Sequence, residues 1–371
     1  MIPALPACRR ALRRLLTPRI RNAARTPGAD RYRKHFPLTA QCWILILHML
    51  LGSPSLRQTH ALLGSLPGGF TRLGLTRGLS LSQLARSSTS RPSAGFEALL
   101  AALIAQAQRT VIPDVSWRLL RKVQILDSTF ISLSSQLSPW SRHGKFPAGV
   151  RLQTALDLGR HLPTHLRLTL TATNDHDALR EADLAAWQGW TLLIDLGYYG
   201  HQQFARLRDA GVSFVCRLQP QAHYRVTASR PVPAKTTREG DVVRSDETIT
   251  LGSPNNRRGT VLTHIRLVRS RNRHGVEAAF VTDRFDLTAF EIVRLYHYRW
   301  QIELFFRFLK RQLGLIRPLG RSWAAVWLTV LVVLIVALVL LLLAADRPPP
   351  MSRSTWGLLL GLSTLLSLRG G

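Results

Sequence analysis

KVQILDSTFISL, residues 122–133, is where the character of the chain changes. Val123, Ile125 and Asp127 alternate onto one face, the period-two signature of a strand, after a long stretch of helical period. Two more strand-like segments follow, GVRLQTALDLG (149–159) and THLRLTLTAT (164–173), split by the turn-like GRHLP. DALREADLAAW (177–187) then reads as helix and TLLIDLG (191–197) as a short buried strand. HQQFARLRDAG (201–211) is a helix closed by Gly211, and VSFVCRLQ (212–219) is another strand. Three meandering strands followed by strand–helix alternation predict an α/β fold, a mixed sheet flanked by helices.

The flanks differ from this block. Residues 1–35 hold ten basic residues and one acid, Asp30, and Pro3, Pro6, Pro18 and Pro27 are expected to interrupt any long helix there. The expectation is a basic N-terminal arm. Residues 36–115 have helical period: LTAQCWILILHMLLG ends in Gly52, and SAGFEALLAALIAQAQ starts at a plausible Ser93 cap. This predicts a small N-terminal helical domain. Residues 220–285 are rich in Pro, Gly, Thr and Val with short alternations, a β-rich insertion into the domain that begins at 116. That domain resumes over 286–345, with Asp286 as the expected helix cap, and 346–371 form a C-terminal tail.

The charge balance is lopsided. Fifty Lys and Arg against 21 Asp and Glu give a formal net charge of +29. An excess of this size suits a polyanionic partner, because neutralised phosphates release counterions. Only five of the fifty are lysines, so arginine forks carry nearly all of the charge. The 46% hydrophobic content excludes a mostly disordered chain. Cys8, Cys42 and Cys216 have no metal-binding or disulfide spacing, which fits a reducing compartment. The N-terminus lacks the continuous apolar core of a secretory signal, although its Arg-rich, acid-poor composition is also that of a transit peptide.

YHYRWQIELFFRFLK (296–310) mixes aromatics with one acid, Glu303. On a continuous helix, Tyr296, Arg299, Glu303 and Lys310 fall within an arc of about 60°, while Ile302, Phe305, Phe308 and Leu309 point away. The stripe alone is equally a surface run of i,i+4 ion pairs. Asp127 and Asp195 change its meaning. Ribonuclease H-like domains have the element order read above, and there the first and fourth strands are neighbours, which would bring the two aspartates together. Clustered carboxylates repel one another and call for a cation, and hard oxygen ligands select Mg²⁺ or Mn²⁺. A helix carboxylate over the sheet would complete a site for two metals about 3.5–4 Å apart, suited to in-line phosphoryl transfer. Asp157 is a weaker rival, and His176, between Asp175 and Asp177, is expected in a loop or behind the ligands.

The spacing Tyr296, Arg299, Glu303, Lys310 matches the Tyr-Arg-Glu-Lys signature of insertion-sequence DDE transposases, and the chain resembles that family over roughly 38–320. ILDST and LLIDLGYYG look like its two Asp blocks, ATNDHD is similar to the block between them, and LTAQCWILILHMLLGSPSLR to its N-terminal helical region. The resemblance implies a ribonuclease H-like fold with a β-strand insertion, and cut-and-paste DNA transposition at inverted-repeat ends. It implies Asp127, Asp195 and Glu303 as ligands of two Mg²⁺ or Mn²⁺ ions, and Tyr296, Arg299 and Lys310 as contacts to transposon-end phosphates. The expected partners are transposon-end and target DNA and a second copy of the chain; the expected location is the cytoplasm, on the nucleoid. Some relatives trap a flipped base with an inserted Trp, and here no Trp occurs between Asp195 and Trp300.

Residues 323–345 carry no charge, and the segment is long enough to cross a membrane. Following an Arg-rich region and the matched signature, it is read as a helix buried in a core, with no membrane partner. The alternatives to a transposase are a ribonuclease H-like nuclease that cuts without joining, a DNA-binding remnant without chemistry, and a membrane protein.

Overall fold

The computed structural model describes residues 4–30, 35–111, 118–233, 236–237, 240–253 and 259–345; the expected C-terminal tail lies outside them. Two compact units result. One contains the described parts of Met1–Ile112, Ile131–Arg142 and Leu304–Gly371; the other contains those of Pro113–Phe130 and His143–Glu303.

The first unit is helical. Its helices are α1 (Ala4–Ala24), α2 (Leu38–Leu50), α3 (Leu56–Ser65), α4 (Leu81–Ser90) and α5 (Ala94–Thr110). Against expectation, α1 runs straight through Pro18. Leu15, Leu16, Ile20 and Ala23 are buried on one side of it and Arg10, Arg13, Arg14 and Arg21 are exposed on the other. Burial of a continuous apolar stripe outweighs the roughly 3 kcal/mol by which proline disfavours a helix interior. The basic arm is therefore an amphipathic helix with a basic outer face. Ser93 does sit at the N-cap of α5, yet its hydroxyl bonds to Glu97 Oε1 at 2.7 Å rather than to a backbone N–H.

The second unit holds one nine-stranded sheet, with strands β1 (Val123–Ser132), β2 (Gly149–Asp157), β3 (Leu162–Leu170), β4 (Thr191–Ile194), β5 (Ser213–Arg217), β6 (Tyr224–Arg230), β7 (Val242–Leu251), β8 (Leu262–Arg271) and β9 (Glu277–Thr282). Their order across the sheet is β3-β2-β1-β4-β5-β9-β8-β7-β6. β1, β4 and β5 run parallel, and β9 pairs antiparallel with β5. The expected alternation of β1 fails over its first four residues: Val123, Gln124, Ile125 and Leu126 are all buried, because a central parallel strand is covered on both faces. The β-rich stretch joins this same sheet, with β9 carrying it onward through β8, β7 and β6.

Helices α6 (Asp175–Arg180), α7 (His201–Asp209) and α8 (Ala289–His297) belong to this unit. α8 packs on β5, β7 and β8. Its N-cap is Thr288, in a capping box with Glu291, and not Asp286. Asp286 instead pairs with Arg284 at 2.7 Å. The approach to α8 is fixed by Arg266, whose guanidinium takes Asp246 in a two-pronged bond of 2.8 and 2.7 Å and donates to the carbonyls of Arg284 and Leu287.

Two more helices complete the chain. α9 (Trp300–Arg311) begins in the sheet unit and ends in the helical one, and α10 (Trp323–Ala345) lies wholly in the helical unit. α10 is long and apolar enough to cross a membrane, but it packs against α1, α2, α4 and α5 and most of its length, Ala325–Leu342 apart from Trp327, is buried. Thr329 donates back to the carbonyl of Ala325, and Trp327 Nε1 donates to Glu97 at 2.8 Å. This is the packing of a core helix, as the sequence suggested. Accordingly, Leu334→Ala should destabilise the detergent-free protein by about 2–5 kcal/mol, read as a lower urea midpoint; an unchanged midpoint would contradict a core role for α10.

Candidate active site

The sheet register brings the two aspartates level. β1 and β4 pair Val123 with Thr191, Gln124 with Leu192 and Ile125 with Leu193, so Asp127 and Asp195 each lie two residues beyond the last pair. Asp127 is inside β1, which continues to Ser132. Asp195 directly follows β4 and caps the turn that leaves it, accepting from Gly197 N at 2.8 Å. Asp127 accepts from Ser128 N, also at 2.8 Å.

The third acid comes from α9. The Tyr296–Lys310 stretch is not one straight helix: α8 ends at His297 and α9 starts at Trp300. Across the break the backbone bonds shorten to an i→i+3 pattern, with Tyr298 N on Leu295 O, Arg299 N on Tyr296 O and Gln301 N on Tyr298 O. This tightened turn carries Arg299. Its guanidinium lies 3.5 Å from Asp127 Oδ2 through one nitrogen and 2.6 Å from Glu303 Oε1 through the other. Arg299 thus joins the strand acid to the helix acid. The aromatic face of α9 is buried as expected, with Ile302, Phe305, Phe308 and Leu309 fully covered.

Electrostatics mark this as a strained group of charges. Burial, with repulsion from Asp195 and Asp175 added, raises the Asp127 carboxyl to a pKa of about 7, against the pull of Ser128 N–H and Arg299. Asp195 is also raised, first by burial and then by Asp175 and Glu303. Arg299 is held more firmly protonated despite its burial, chiefly by Glu303. Among the described residues no three His, Cys, Asp or Glu stand close enough to form a ready metal site. A single cation, the Arg299 guanidinium, bridges Asp127 and Glu303.

The remaining expected residues divide. Tyr296 is partly buried, with its ring 4.8 Å from that of Phe280, and burial raises its hydroxyl pKa. Lys310 belongs to the helical unit, and burial lowers its ammonium pKa. Asp157 takes no part: it closes the β2–β3 turn through Gly159 N and Arg160 N and pairs with Arg160. His176 lies on α6 rather than in a loop, with its ring 4.0 Å from Asp177. Asp175, passed over in the sequence as a mere flank of His176, is the neighbour that Asp127 and Asp195 both feel. Its signal was present in ATNDHD, but only the folded α6 gives that segment a direction.

Comparison with known proteins places the chain in a family. The family model described as Transposase DDE domain matches residues 118–340, from just before β1 into α10. The y4zB protein of Sinorhizobium fredii, which carries a transposase name, is 27% identical over 266 residues, 71% of each chain. A Geobacillus stearothermophilus protein named for the transposase of insertion sequence element IS5377 is 26% identical over 231 residues, 62% of this chain and 58% of that protein. A solved piggyBac transposase synaptic complex with hairpin DNA aligns with 97% of this chain and 80% of its own at 9% identity, but its TM-score of 0.47 is too low to carry an argument. With the DDE domain matched over more than half of its length, the chain belongs to the DDE transposase family, enzymes of DNA transposition that work with divalent metal ions.

Proposed function

We propose that this transposase cuts at the inverted-repeat ends of a mobile element and joins the freed ends to target DNA, using Asp127, Asp195 and Glu303 as its acids. The observation that carries the reading is the level placement of Asp127 and Asp195 on neighbouring parallel strands, with Arg299 linking Asp127 to Glu303. The strand order β3-β2-β1-β4-β5 supports a ribonuclease H-like core. The Tyr296, Arg299, Glu303, Lys310 spacing supports membership of the insertion-sequence group that has this signature.

The donor set suits hard divalent cations: it is oxygen-only and negatively charged, with Asp127 and Glu303 drawn together by Arg299 and Asp195 level with Asp127 on the next strand. Asp127, Asp195 and Glu303 would hold two Mg²⁺ or Mn²⁺ ions, which when bound polarise the phosphate and assist the attacking and leaving oxygens. Arg299 keeps Asp127 and Glu303 together and shields their repulsion. Its planar fork also fits a phosphate, so it is placed to exchange a carboxylate for the DNA backbone. Tyr296 and Lys310 are assigned to end phosphates, and the exposed Arg10, Arg13, Arg14 and Arg21 of α1 to a further DNA backbone contact. Two transposon ends call for two copies of the chain. A reducing, DNA-bearing compartment such as the cytoplasm suits the net charge and the unbridged, buried Cys42 and Cys216.

The test is cleavage and joining of the DNA that flanks the coding region. Asp127→Ala, Asp195→Ala and Glu303→Ala should each remove strand cleavage and leave gel-shift binding of the ends near the native level. If two of the three cleave normally, the acid assignment is wrong, and cutting without joined product would indicate a nuclease. Lys310→Ala should instead weaken end binding and reduce its salt slope by about 1.

Stability should also depend on pH. Asp127 binds its proton more tightly in the folded chain (pKa about 7) than at its ordinary value of 3.8, so the folded state holds the extra proton between those limits. In EDTA, stability should therefore fall as pH rises from about 4 to 7, by at most about 1.4 kcal/mol per pH unit from this group. Asp127→Asn should flatten that part of the urea-midpoint profile and be more stable than native at pH 8.

A further inference from the structure

Asp175 is not among the three acids, yet the structure builds a support for it. Tyr198, fully buried, donates its hydroxyl to Gln153 Oε1 at 3.1 Å, and Gln153, itself 3% exposed, donates its amide to Asp175 Oδ1 at 3.2 Å. A buried Tyr and a buried Gln are costly to satisfy inside a sheet domain, and here both are committed to fixing one oxygen of one carboxylate. The other oxygen faces the turn after β4. A Cβ at Gly197 would lie 3.0 Å from Asp195 Oδ1 and 3.2 Å from Asp175 Oδ2, so the two carboxylates converge over a residue that has no side chain to separate them. Gly197 is required there for space, and its N–H ties down Asp195 Oδ1.

We propose that Asp175 is a positioning residue for the metal-dependent reaction: a fourth carboxylate, clamped by Gln153 and Tyr198, that turns Asp195 toward Asp127 and makes the site depend on a divalent cation. This rests on the reading of Asp127 and Asp195 as cation ligands. Asp195 has one oxygen held by Gly197 N–H, and repulsion from Asp175 disfavours rotation of the carboxylate toward α6. Asp127, Asp195 and Asp175 repel one another, and the Arg299 guanidinium beside Asp127 is shared with Glu303. A dication relieves that repulsion, and removing Asp175 lessens the demand for it.

The test is Mn²⁺ binding to the full-length protein by titration calorimetry, together with the melting temperature in EDTA. Asp175→Asn keeps an acceptor for Gln153 and removes only the charge. It should weaken Mn²⁺ binding about 10- to 100-fold, as loss of a group that orients a ligand does, without lowering the melting temperature in EDTA. Asp175→Glu, which keeps the charge, should recover most of that affinity. Asp195→Asn should remove the binding. If Asp195→Asn loses Mn²⁺ but Asp175→Asn stays within about threefold of native, the proposal is overturned and the ligand assignment stands. If Asp175→Asn melts lower in EDTA and Asp175→Glu recovers no affinity, Asp175 is structural only and the proposal fails. If Asp195→Asn binds Mn²⁺ like the native protein, the ligand assignment itself is wrong.

Discussion

Parallel pairing of β1 with β4 is the constraint on which the site depends. Once Ile125 pairs with Leu193, the residues two positions on are level, and both are aspartates. Two carboxylates half withdrawn from water at that spacing cannot both be charged at no cost, as the raised proton affinities of Asp127 and Asp195 record. The surrounding chain answers in three ways. Backbone N–H groups of Ser128 and Gly197 take one oxygen each, Arg299 supplies a positive charge, and the buried Leu192, Leu193 and Ile194 of β4 hold the register against slippage. Register is therefore set by hydrophobic burial, and charge is its consequence.

Arg299 reaches these acids because of how its helix is delivered. Arg266 holds Asp246 and the carbonyls of Arg284 and Leu287, fixing the segment that leads into α8. The Thr288–Glu291 capping box then starts α8, whose body packs on β5, β7 and β8. The tightened turn at Tyr298 and Arg299 redirects the chain into α9 and places Arg299 four residues before Glu303. The strands beyond β5 thereby act as a mount for α8 and the turn that leads into α9, in one sheet continuous with β1 and β4. The same logic extends to Gln153 on β2 and Tyr198 after β4, two buried polar side chains whose partners lie on other elements.

Much of the site was legible in the sequence because its residues sit at fixed spacings on regular elements. The Tyr296, Arg299, Glu303, Lys310 interval, ILDST and LLIDLG point to Asp127, Asp195 and Glu303 as candidates, and the fold sets two of them level and joins the third to Asp127 through Arg299. Errors arose where tertiary burial overrides a local preference. Pro18 lies within α1 because Leu15, Leu16 and Ile20 are buried together. Asp286 looked like a cap, yet Arg284 captures its carboxylate and leaves the role to Thr288. β1 does not alternate where it is covered on both faces.

The sequence by itself determined the family and the long apolar helix and singled out Asp127, Asp195 and Glu303 as candidates, since each is written in the order and spacing of residues along the chain. Only the tertiary structure decided that the β-rich stretch continues the central sheet, that the helical run over 289–311 breaks at Tyr298 and Arg299, and that Asp175 stands with Asp127 and Asp195. Those outcomes depend on strand pairing, on competing hydrogen bonds and on the long-range meeting of like charges. No local pattern encodes them, because the partners are separated by tens of residues and meet only when the sheet has formed.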